Sequence, residues 1–238
     1  MTLNANTVLQ EFCENEHCFQ LLTQESVLKK IVSVCCQTDN NMQNLPYALS
    51  LLTNIITQFI EQDKDFFKDK KDEFFEAFSL HFRDLCYNCL LILKQADPPQ
   101  DEGTPAYQNQ SGQRLRRVGV QRIRAIEQLK TFFTALSKRG SIKDSPVLGD
   151  ILRRKVIETM LYMIKTYPFC SMSHQQAIQI LNSLKEAFDA DDLATLKGFV
   201  KHELGGDTNF SYPSGLKTSG MNMGQIIQIA FELRNITQ

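Results

Sequence analysis

From Ser26 onward, apolar residues recur every three or four positions, and that period constrains the fold more than any other feature of this chain. Val27, Leu28, Ile31, Val32 and Cys35 trace one face of a helix. Pro46 then stands where a helix can begin, followed by Leu49, Leu52, Ile55, Ile56, Phe59 and Ile60. That stripe is too broad for a surface helix, so it should be covered on more than one side. Residues 74–94 repeat the breadth through Phe75, Phe78, Phe82, Leu85, Cys89, Leu90, Ile92 and Leu93. No stretch alternates with period two for long, and 11 Gly with 7 Pro in 238 residues are too few for a turn-rich β architecture.

Residues 96–112, rich in Pro, Gly and polar groups, read as a flexible loop. The helical pattern resumes at Gln113 and runs to about Lys138, where Arg139-Gly140-Ser141 ends it. Ser145-Pro146 predicts the opening of the next helix, and Pro168 its end after Tyr167. Ser173 is expected to cap a helix over Gln175–Phe188. Asp189 to Asp192 open another through Leu193, Leu196, Phe199 and Val200. Gly205-Gly206 and the Tyr212-Pro213-Ser214-Gly215 turn separate it from a last helix over about Asn222–Arg234.

About seven to nine helices in succession predict an all-α fold. The architecture expected is a degenerate armadillo/HEAT-like helical-repeat solenoid forming a single domain over residues 1–238, with a compact bundle as the alternative. No strict period of about 34–47 residues is visible. The last apolar pattern runs almost to Gln238 without a polar cap, which leads us to expect a piece of something longer.

Charge and motif content narrow the function. With 26 Lys+Arg against 27 Asp+Glu, the formal net charge is -1, which removes the electrostatic case for nucleic-acid or membrane-surface binding. No run reaches the ~18 apolar residues of a membrane span, and residues 1–22 lack the apolar core of a signal peptide. Seven cysteines scattered through apolar patterns fit a reducing compartment, hence a cytoplasmic protein or also a nuclear one.

Phosphate-binding glycine motifs, a Gly-x-Ser-x-Gly elbow and a His-Glu-x-x-His pair are all absent. Cys86 and Cys89 lie inside a helical pattern with no second pair, so they read as buried apolar residues and not as metal ligands. Cys13, His17 and Cys18 lack a matching set as well. Asp189, Asp191 and Asp192 complement the dipole of the helix they open. The expectation is a non-enzyme with no cofactor, metal or catalytic residue.

One cluster stands out. Arg114, Arg116, Arg117, Arg122 and Arg124 gather at a helix start, where positive charge runs against the dipole. They are candidate contacts to a partner's carboxylates or phosphates.

Three short motifs in order carry a resemblance. Val118-Gly119-Val120-Gln121-Arg122-Ile123 resembles the Leu-Gly-x-x-Arg-Leu helix start of SAPS-domain proteins, regulatory subunits of protein phosphatase 6. Tyr167-Pro168-Phe169-Cys170-Ser171-Met172-Ser173-His174 is similar to that family's Tyr-Pro-Trp-Asn-Asn-Phe-Leu-His turn, with Phe169 for Trp and without the Asn pair. Met223-Gly224-Gln225-Ile226-Ile227-Gln228-Ile229-Ala230 is similar to its Met-Gly-His-Leu-x-x-Ile-Ala. In the first half, Gln24-Glu25-Ser26-Val27 and Asp97-Pro98-Pro99 fit more loosely. The resemblance spans most of the chain and corresponds to the C-terminal part of a SAPS domain.

It implies a scaffold that binds a protein phosphatase 6-type catalytic subunit, with ankyrin-repeat accessory subunits as further partners. The Tyr167–His174 turn, through Tyr167, Phe169 and His174, is then a second candidate contact. An armadillo/HEAT-like adaptor unrelated to phosphatases is the competing expectation.

Overall fold

A computed structural model of the chain describes residues 5–35, 45–61, 81–95, 110–139, 142–144, 148–166, 171–204 and 223–238. Among these residues every regular element is helical and none is a strand. The helices are α1 (Ala5–Glu14), α2 (Glu16–Leu22), α3 (Glu25–Cys35), α4 (Leu45–Glu61), α5 (81–94), α6 (Gln110–Arg139), α7 (Asp150–Thr166), α8 (Ser171–Leu184), α9 (Ala190–Glu203) and α10 (Met223–Ile236). Two 3-10 turns, Ile142–Asp144 and Lys185–Ala187, pack on each other. The chain forms two compact units, Met1–Ala135 and Leu136–Gln238, and the division falls within α6.

In the first unit, α4 is the central helix. Leu49, Leu52, Ile55 and Ile56 are wholly buried, and α1 and α3 both pack against it. The broad stripe in the sequence is therefore explained by cover from more than one side. Asn15 caps α2 by accepting a hydrogen bond from the Cys18 N–H at 3.2 Å.

The Asn88 amide of α5 donates to the Cys35 carbonyl at the end of α3, satisfying one of the acceptors that a helix terminus leaves open. Phe82 of α5 meets Phe132 and Phe133 of α6 with ring centroids 5.4 and 6.0 Å away, the second edge-on. Such pairs add about 0.5–1.5 kcal/mol to the burial of the rings themselves.

In the second unit, α7 packs on α8, α9 on α10, α7 on α9 and α8 on α10. Two exposed ion pairs fix the direction of α7 against α9. Arg154 Nη2 reaches Asp191 Oδ2 at 3.1 Å in the first turns, and Lys165 Nζ reaches Glu203 Oε1 at 2.9 Å in the last turns. Partners at both matching ends require the two helices to run parallel. α7 buries Leu152, Val156, Met160 and Ile164 in this unit, and α9 buries Leu196 and Val200.

Some boundaries differ from the sequence reading. α6 begins at Gln110, so 110–112 are helical and not loop; extending an existing helix through Ser111 and Gly112 requires no new nucleus, at about 1 kcal/mol for the glycine. α7 begins at Asp150 and not at Ser145-Pro146, because Gly149 interposes a poor helix former and its carbonyl accepts the Arg153 N–H at 3.0 Å. α8 already includes Ser173, which is therefore no cap, and it tightens to a 3-10 turn after Leu184. The rest of the expected loop at 96–109, Ser145-Pro146 and the Gly205–Gly215 turns lie outside the described residues.

Candidate functional site

The arginine-rich start of α6 divides on inspection. Arg114, Arg116 and Arg117 are on its helical backbone, with side chains outside the described set. Arg122 is turned inward, nearly buried, and donates from Nη2 to the carbonyl of Gln95 just past the end of α5. A guanidinium spent on a helix-terminal carbonyl holds α5 against α6. Arg124 is half-buried and pairs with Glu127 one turn on, at 2.7 Å. Val120 and Ile123, on the outer side of the same stretch, are exposed.

The second candidate is only partly visible. Tyr167 and Phe169 lie outside the described residues. His174 is on α8 and buried, so it faces the interior of the second unit.

The densest polar constellation lies elsewhere, where α7 meets the start of α9. Asp189 caps α9 in a reciprocal box: its Oδ1 accepts the Asp192 N–H at 2.8 Å, and Asp192 Oδ2 accepts the Asp189 N–H at 3.1 Å. Arg153 enters this box from α7. Nε donates to Asp192 Oδ2, Nη1 to Asp150 Oδ1 at 2.8 Å, and Nη2 to Asp189 Oδ2. Burial alone would lower the guanidinium's pKa, but the hydrogen bond and charge of Asp192, with Asp150 and Asp189 behind it, raise it above the ordinary arginine value. The Asp189 carboxyl is held below its ordinary range, first by the Asp192 N–H and then by Arg153 and Arg154.

Sequence reasoning assigned these acids to the helix dipole alone. The reciprocal Asp–x–x–Asp spacing was the available signal for the box; nothing local signalled an arginine 39 residues upstream. Every guanidinium nitrogen is committed to a carboxylate, so the constellation is built to hold α7 on α9.

Among the described cysteines, Cys13, Cys35, Cys86 and Cys89 belong to the core. Cys86 and Cys89 are fully buried, and burial, then the neighbouring Cys89, pushes the Cys86 thiol well up. Cys13 is raised to about 12 by burial and by Glu14. Among the described residues no three His, Cys, Asp or Glu side chains are arranged to hold a metal ion, and no helix is long and apolar enough to cross a membrane.

No family model, no curated protein sequence and no solved structure matches the chain.

Proposed function

We propose that this chain is a non-catalytic scaffold of stacked helical pairs that binds a protein phosphatase 6-type serine/threonine phosphatase catalytic subunit and directs it to substrates. The observation that carries the scaffold part is the parallel packing of α7 and α9. Helix neighbours two apart in sequence, joined by contacts 37, 38 and 39 residues apart, support a repeat stack. That spacing falls inside the ~34–47 residues of helical repeats, just below the ~40–47 of armadillo and HEAT units. Such a stack offers its partner a long, stiff surface, with a few anchors supplying specificity. The phosphatase part rests on the three ordered motifs, and a cytoplasmic or nuclear setting on the seven cysteines scattered through apolar patterns.

A second reading, an armadillo/HEAT-like adaptor unrelated to phosphatases, is supported by the same parallel packing of α7 and α9 without the three motifs. Co-purification separates the two. The intact chain should retain a protein phosphatase 6-type catalytic subunit. Reversing Arg114, Arg116 and Arg117 to Glu should release that subunit without lowering the melting temperature. Failure to retain any metallophosphatase, with a different partner recovered repeatedly, would establish the adaptor reading instead.

A further inference from the structure

Two local rules are broken on α1. Val8 and Phe12 stand one turn apart and are 40% and 48% exposed, although aligned apolar side chains on a short helix ordinarily face inward. The last turn, Glu11 to Glu14, carries an acid at each end and no basic residue. Negative charge there runs against the helix dipole, whose carboxyl end favours a cation. The other side of α1 is already committed, with Cys13 buried and the helix packed on α4.

The neighbouring sequence does not correct the imbalance. Residues 5–28 contain Glu11, Glu14, Glu16 and Glu25 and no Lys or Arg. Glu16 is accounted for, because it opens α2 and complements the positive end of that helix. Glu11 and Glu14 have no such reason in the helix that carries them. Both are exposed, as is Phe12 between them, so charge and ring are open to a second molecule. Leu21 of α2, 57% exposed, adds a further apolar side chain to this short stretch.

Both departures have one remedy. We propose that α1 is the docking face for a basic amphipathic helix of another protein. Apolar side chains one turn apart on that helix cover Val8 and Phe12, and Lys or Arg beside them meets Glu11 and Glu14 at the negative end of α1. Charge selects the class of occupant. Nucleic acid and anionic membranes are repelled by this face, and an uncharged apolar partner would leave the glutamates uncompensated. The spacing selects its form, since side chains one turn apart on one helix match the same spacing on another. The proposal does not depend on the phosphatase reading and uses none of the arginines of α6. It gives the scaffold a second, separately addressed partner.

A synthetic amphipathic peptide with leucines one turn apart and lysines beside them tests this, titrated against the full chain by fluorescence anisotropy. The expected result is saturable binding that weakens about tenfold or more as salt rises from about 0.05 to about 0.5 M. The same peptide with glutamates in place of its lysines should not bind. Glu11→Lys should weaken binding about tenfold at an equal or higher melting temperature, because the new charge suits its end of the helix. Phe12→Ser should weaken it about as much without altering charge. Glu158→Lys, on the exposed side of α7, should leave it unchanged. No saturable binding, or equal effects of Glu11→Lys and Glu158→Lys, would overturn the proposal. Self-association of the chain that Phe12→Ser abolishes would overturn it too, by assigning the face to a second copy.

Discussion

Arg153 Nε lies 2.5 Å from Asp192 Oδ2, joining two buried side chains from α7 and α9. Removing the arginine strands Asp192 in the interior without a counter-charge. Arg153→Met should therefore cost about 3–5 kcal/mol of stability, read from urea unfolding. Arg154 also bridges to α9 but is exposed, and Arg154→Met should cost under about 1 kcal/mol. Equal effects from the two substitutions would remove the buried clamp from this account.

Acid should loosen the same junction. The folded Asp189 carboxyl titrates below its ordinary value of 3.8, so it binds fewer protons than in the unfolded chain. Its contribution is complete above about pH 4 and is lost as pH falls through the lower folded value. Asp189→Asn keeps a capping oxygen and removes the charge. The variant's melting temperature should fall less steeply than the parent's below about pH 4, and parallel curves would count against this linkage.

Gln121 on α6 is buried with neither end of its amide hydrogen-bonded within the protein. Gln128, two turns further on, is also buried, but its Oε1 accepts from Thr53 at 2.9 Å. Gln121→Met removes an unsatisfied buried amide at similar volume and should raise stability by about 1 kcal/mol. Gln128→Met also removes an accepted hydrogen bond and should bring no such gain. Denaturation midpoints compare the two, and a loss of stability in Gln121→Met would contradict the assignment.

Thiol accessibility offers an independent check on the core. Cys18 is half-buried, whereas Cys13, Cys35, Cys86 and Cys89 are buried. With its thiol at about 12, Cys13 has little thiolate at neutral pH. Alkylation of the native protein followed by peptide mass spectrometry should label Cys18 ahead of these four, which should react only on unfolding. Early labelling of Cys86 or Cys89 would show α5 to be more open than described.

Much of the helical framework is legible in the sequence because period and capping residues are local signals. The stripe from Leu49 to Ile56 forecast a helix covered on several sides, and Asp189 to Asp192 forecast the start of α9. α1 and α2 escaped notice because each is short, at 10 and 7 residues, so the helical period hardly repeats before the chain turns; Asn15 between them was the available capping signal. The start of α7 was misplaced because Ser145-Pro146 is a sound opening signal, yet the helix begins only beyond Gly149. Long-range pairing left no local trace. Arg122 was grouped with its arginine neighbours by proximity in sequence, and only the three-dimensional path of α5 places the Gln95 carbonyl under it.

The ion pairs at both ends of α7 and α9 act together as a length gauge. Slipping one helix by a single turn would shift every partner by about 5.4 Å and break both ends at once. The two rods can therefore change length only in concert, and insertions inside either one should be far more damaging than insertions between them. Evolutionary drift in this part of the molecule would be channelled into the connecting segments, leaving the gauge itself fixed.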